Sequence, residues 1–184
     1  MTKRSNLNYL LFVNLFSLVG YYTFAPLYAL FANSFVSDAQ TISLVWGGYS
    51  LLQAFLILFF GRFENDKKKG KMLVLGYALC AFAALSFLVV DSLTSLVFVL
   101  AFNAFAASMV APAFKTLFAK NESSGRESEQ WSWLDSGTMF AAAAGGILGG
   151  IVVGMYGFQG IFIAMATIQI IAAVVAYRSL YKLL

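Results

Sequence analysis

The chain has 184 residues, 61% apolar and 11% charged, with a net charge of +4 and no histidine. A soluble domain is typically about 45–50% apolar and about 25% charged, so a water-soluble globule is excluded. Without histidine there can be no histidine metal site, His-based triad or histidine proton relay, and no cofactor is expected.

Six apolar runs follow one another, near or above the roughly 18 residues needed to span a bilayer. They are Tyr9–Phe31, Ile42–Phe60, Met72–Val90, Ser95–Phe118, Trp133–Tyr156 and Ile161–Tyr177. Lipid offers backbone groups no hydrogen-bond partner, so each run is predicted to be a helix. None alternates in polarity as a barrel strand would. The N-terminal "MTKRSN" and the run behind it mimic a signal peptide. That run is longer than an h-region and lacks an A-x-A site, so it reads as a retained first helix.

The first run carries Asn14, Ser17, Tyr21 and Tyr28, spaced to share one helical stripe, with Pro26 near its end. Trp46, Tyr49 and Gln53 are similarly spaced in the second. Polar groups are costly against lipid, so these stripes are expected to face a cavity or a neighbouring helix. The connection 61–71 gathers Arg62, Lys67, Lys68, Lys69 and Lys71 around Glu64 and Asp66. Cys80 lies alone in the third run and reads as core packing. Asn103 and Pro112 lie in the fourth, and Lys115 near its end. The connection 119–131 leads to Asp135 at the head of the fifth run. There Gly146, Gly150 and Gly154 form one small-residue face, and Gly145 and Gly149 another.

Alternating the connections between two sides sorts the charge. All twelve Lys and Arg fall on the side of the N-terminus, the connection 61–71, the Lys115–Arg126 connection and the C-terminus. The opposite connections, "NSFVSDAQ", "DSLT" and "YGFQG", carry none. Short loops rich in Lys and Arg stay cytoplasmic, so both termini are expected inside a cell membrane. Trp131 and Trp133 sit where the fifth helix should cross the headgroups. Charge sorted in this way argues for lipid as the partner and against nucleic acid.

Pro26 and Pro112 lie at similar depths in the first and fourth runs, 86 residues apart. Residues 1–93 and 94–184 then read as two three-helix repeats. An odd helix number per half makes them inverted, the pattern of many transporters.

The chain resembles one six-helix half of a major facilitator superfamily transporter, and the resemblance covers nearly the whole sequence. The family's loop between helices two and three reads roughly G-x-x-x-D-R-x-G-R-R, with a further glycine after an apolar stretch. Gly61 and Gly76 keep that spacing, while Asn65, Asp66, Lys68 and Lys69 replace its acid, arginine, glycine and second arginine. "NAFAASMVAPAF" resembles the family's fourth helix, with Leu100 where many members carry arginine. "AAAAGGILGG" resembles the glycine-rich fifth helix of its exporters, with Gly146 in place of proline, and "GYYTFAPLYALFA" its first helix. The resemblance implies alternating access, with the first and fourth helices lining the path. A single lobe supplies only one wall, so a second copy in a C2 homodimer is expected to supply the other.

The expected cavity residues are Asn14, Ser17, Tyr21, Tyr28, Trp46, Tyr49, Gln53 and Asn103. Gating is expected from Gly61, Asn65, Asp66, Lys115, Asp135, Pro26 and Pro112, either through a Lys115–Asp135 pair or with Asp66 of one copy latching the start of the other's fifth helix. No acid lies at mid-membrane, which favours a small neutral or amphipathic solute. An intramembrane enzyme is disfavoured because no nucleophile, paired acids or metal set is visible. A channel is disfavoured because no filter stretch is visible. A non-transporting six-helix subunit or scaffold, or a truncated half of a longer transporter, are the alternatives.

Overall fold

The computed structural model describes the backbone of residues 3–63 and 66–183, and the side chains of 6–63 and 68–178. The described elements are all helical. α1 spans Lys3–Tyr22 and α2 spans Tyr28–Ala32, with a 3-10 turn at Ala25–Leu27 between them. α3 (Ala39–Gly61), α4 (Asp66–Ser86), α5 (Leu93–Asn121) and α6 (Glu127–Leu183) follow. Five helical segments are long and apolar enough to cross a membrane.

Short polar side chains start two of these helices. The Asp38 carboxylate accepts from the amides of Gln40 (3.2 Å) and Thr41 (2.9 Å) and from the Thr41 hydroxyl (2.6 Å). Such a cap satisfies amides that the first turn leaves unpaired. Ser92 and Ser95 form a reciprocal capping box at α5.

The two prolines behave differently. Pro26 lies in the 3-10 turn that separates α1 from α2. Pro112 lies inside a continuous α5. A proline removes one amide donor and crowds the preceding turn. α5 carries that defect because it packs on α3, α4 and α1. The expected pair of matching interruptions is therefore present only at Pro26.

Two connections are shorter than the sequence suggests. The stretch expected as connection 61–71 is helical again from Asp66, and that expected over 119–131 is helical up to Asn121 and from Glu127. Lys and Glu are good helix formers, and acids at a helix start oppose its dipole favourably. The charged residues here do not end the helix.

The last two apolar runs form a single element. At 1.5 Å per residue, a straight helix over Glu127–Arg178 would be roughly 78 Å long, against about 30 Å of hydrocarbon. Gly157 breaks it, at φ 65° and ψ −169°, a region open essentially to glycine alone. Before the break (127–156), Gly137 lies against Leu15, Gly145 against Val19 and Gly149 against Thr23, so this arm runs parallel to α1. After it (158–183), Phe158 meets Phe31, Phe162 meets Phe24 and Gln169 meets Ser17, so this arm runs antiparallel to α1. The chain therefore reverses at Gly157.

Two apolar clusters fill the lobe. Nearer Gly157, Phe24 packs against Phe31, Phe87 and Phe162 with centroids 5.0 to 5.7 Å apart, a range that favours edge and tilted contacts. At the opposite end, Leu10, Leu73, Tyr77, Phe114, Phe118 and Leu134 form the second.

Candidate functional site

On α1, Asn14 and Ser17 are buried. The Ser17 hydroxyl donates to Gln169 Oε1 (2.8 Å), and Gln169 Nε2 donates back to the Ser17 carbonyl (3.1 Å). The stripe thus meets the second arm of α6. Gln169 was not among the expected residues, although a lone amide in an apolar run was the signal available.

Four expected residues come together around the break in the first helix. Tyr28 is buried, donates to the Ile42 carbonyl (3.2 Å), and packs on Trp46 with centroids 4.6 Å apart. Trp46 in turn packs on Tyr49 at 5.2 Å. Tyr21 and Tyr49 interact with one another through their side chains. Half-buried Gln53 lies one turn further along α3, where its carbonyl accepts from the Ser108 hydroxyl of α5 (3.2 Å). Asn103 is half-buried on α5.

At the basic end, Asn65 lies outside the described residues, as does the side chain of Asp66. Gly61 is exposed at the end of α3. Lys69 is 2% exposed and donates to the Phe60 carbonyl (3.2 Å). That carbonyl also accepts from the Phe63 amide (3.4 Å), and the ammonium complements the negative end of the helix dipole. Nothing in the lysine cluster distinguished this residue from its neighbours. Lys115 and Asp135 are both exposed, and no ion pair joins them.

The five glycines singled out in the fifth run divide by face. A Cβ on Gly145 would stand 2.6 Å from the Val19 carbonyl oxygen, and one on Gly149 would stand 2.1 Å from that of Thr23. These two let the backbones of α1 and α6 touch. Gly150 and Gly154 are exposed with nothing within 4 Å, and Gly146 has only Pro26 Cγ, at 4.0 Å.

A groove of about 780 Å³ runs between α1 and the first arm of α6. None of the eight expected cavity residues lines it. Among its lining residues, Arg126 Nε and Nη2 donate to Glu129 at 2.8 and 2.6 Å. On the opposite side, the Thr41 hydroxyl and the Thr41 and Gln40 amides hold the Asp38 carboxyl below the usual carboxylate range.

Apolar helices of spanning length, satisfied within the bundle and polar at their ends, define a multi-pass integral membrane protein. The chain belongs to the Major Facilitator Superfamily, whose family model matches residues 10–182. No curated protein and no solved structure matches it. Its class is therefore that of a membrane transporter, and members of this family are not enzymes.

Proposed function

We propose that the chain carries a small neutral or amphipathic solute across a cell membrane by alternating access, working as a C2 homodimer of six-crossing lobes with cytoplasmic termini. The six crossings are α1–α2, α3, α4, α5 and the two arms of α6. Their packing supports inverted repeats. α1 packs on both arms of α6, as α5 packs on α3 and α4. Exchanging the first three crossings for the last three maps one set of contacts onto the other.

The observation that carries the homodimer is the exposure of α3. Only 6% of its spanning stretch is buried, against 33% to 44% in the other four. Gly47 and Gly48 on it are exposed with nothing within 4 Å. They lie about 14–15 Å from the Asp38 end at 1.5 Å per residue, within about one turn of the depth of the open Gly150, about 11 Å before Gly157. Small residues on two open faces at comparable depth let a copy lay α3 along its twin's α6. The aromatic run Tyr28, Trp46 and Tyr49 supports an uncharged path, and Gly61, Asp66, Lys115 and Asp135 remain the proposed gate at the basic end.

A double variant, Gly48→Cys with Gly150→Cys, tests the interface. Oxidation should yield a covalent dimer between copies, and counterflow in proteoliposomes should be lost on crosslinking. A monomeric particle that still exchanges solute would refute the two-lobe reading. Uptake that depends steeply on a pH gradient would refute the uncoupled one.

A further inference from the structure

Among the spanning helices α3 is the least buried. Of the long helices, α5 is the one packed extensively along it, and Tyr49 and Phe60 are its buried residues. Three side chains from three other helices reach its backbone. The Tyr28 hydroxyl of α2 donates to the Ile42 carbonyl, the Ser108 hydroxyl of α5 to that of Gln53, and the Lys69 ammonium of α4 to that of Phe60, each at 3.2 Å. Ile42, Gln53 and Phe60 are roughly three and two turns apart, so the three ties share one stripe, about 27 Å long at 1.5 Å per residue. Tyr49 lies on the same stripe, and the exposed Leu44, Gly48, Leu51 and Leu58 lie on the opposite face.

These ties are easily given up. A carbonyl inside a helix already accepts from its own ladder and offers a visitor only its second lone pair. The Ser108 hydroxyl is shared with the Ala104 carbonyl of its own helix (2.6 Å), and the Phe60 carbonyl also accepts from the Phe63 amide (3.4 Å). When α3 withdraws, Ser108 keeps Ala104 and the α3 carbonyls keep their ladder. The Tyr28 hydroxyl is then the donor that loses its acceptor. Apolar side chains that pass from protein to lipid tails lose packing but gain no contact with water. Elements with few buried apolar contacts are the ones that open at the lowest free energy.

We propose that α3 moves as a unit against the rest of the lobe, swinging away from the stripe that ties it. The motion carries Tyr49 away from Tyr21 of α1 and Cys80 of α4, with both of which its side chain interacts, and opens that face to the bilayer. Cys80 is the only cysteine of the chain and is half-buried, so it reports the motion. The device does not depend on the homodimer or on transport, because the tied stripe faces its own lobe.

The test times the labelling of Cys80 by N-ethylmaleimide in the full chain, in maltoside micelles at one protein concentration. Tyr28→Phe keeps the ring and removes the first tie. It should raise the labelling rate about threefold, the usual effect of one side-chain hydrogen bond in a membrane bundle. Ser108→Ala should raise it less, since that hydroxyl is shared. Gln169→Leu, which unties α1 from the second arm of α6, should leave it unchanged. In a Cys80→Ser background, spin labels at Leu51→Cys on α3 and Phe98→Cys on α5 should give a broader distance distribution than labels at Ile163→Cys on α6 and Phe98→Cys. Equal widths for the two pairs, or a Tyr28→Phe rate matching the wild type, overturn the proposal. So does equal acceleration by Gln169→Leu, which would assign the exposure of Cys80 to opening of the whole lobe.

Discussion

A methyl group added at Gly149 should loosen the lobe far more than one added a single residue later. The Cβ of Gly149→Ala would lie 2.1 Å from the Thr23 carbonyl oxygen, 2.9 Å from its carbon and 3.0 Å from its Cα. These are backbone atoms, which no rotamer change can move aside. Ordinary contact begins near 3.4 Å, so α1 and α6 must separate locally by roughly 1.3 Å. Overpacking of this kind costs about 3 kcal/mol at the upper end of its usual range. Part of that cost is dispersion attraction, which weakens between the flanking side chains as the helices part. Gly150→Ala meets nothing within 4 Å and should gain about 0.5–1 kcal/mol from helix propensity. Reversible unfolding in mixed micelles compares the two directly. If Gly149→Ala is as stable as Gly150→Ala, the backbone seam between α1 and the first arm is wrong.

Three further outcomes are expected. Gln169→Leu removes both bonds to Ser17 and should cost about 1 kcal/mol in the same assay, with Ser17→Ala in that background adding little. Lys69→Met leaves the Phe60 carbonyl without its ammonium donor. It should raise the labelling rate of a cysteine at Gly61 several-fold, whereas Lys68→Met should not. Asp38 holds the start of α3 through a carboxyl whose folded pKa is depressed. Its contribution is complete above about pH 4 and fades as pH falls through the lower folded value. Hydrogen exchange at Gln40 and Thr41 should accelerate there in the wild type, and Asp38→Asn should flatten that dependence.

Much of the architecture was legible because a bilayer leaves the backbone few options. Run length located the helices, and the sorted lysines and arginines separated the two sides. Where helices start and stop was less legible. Asp66 and Glu127 begin helices inside stretches that charge had marked as connections, since Lys and Glu propagate a helix as readily as they hold its end in water. Composition also gave both prolines one weight, whereas the neighbours around Pro112 let α5 continue past it. The site was legible as a set of polar side chains but not as a set of partners. Ser17 stood out on its stripe, but its pairing with Gln169 crosses 152 residues. Likewise, two glycine faces could be read from spacing, and only the fold decides that Gly145 and Gly149 face α1 while Gly150 and Gly154 stay open.

The reversal at Gly157 takes up one residue. With no slack between them, neither arm can enter the bilayer while the other waits outside. During synthesis the two must partition into lipid together, as a helical hairpin. Lengthening that corner by a few glycines and serines would uncouple them. It would then become visible whether the second arm, with its single buried amide, is apolar enough to cross unaided.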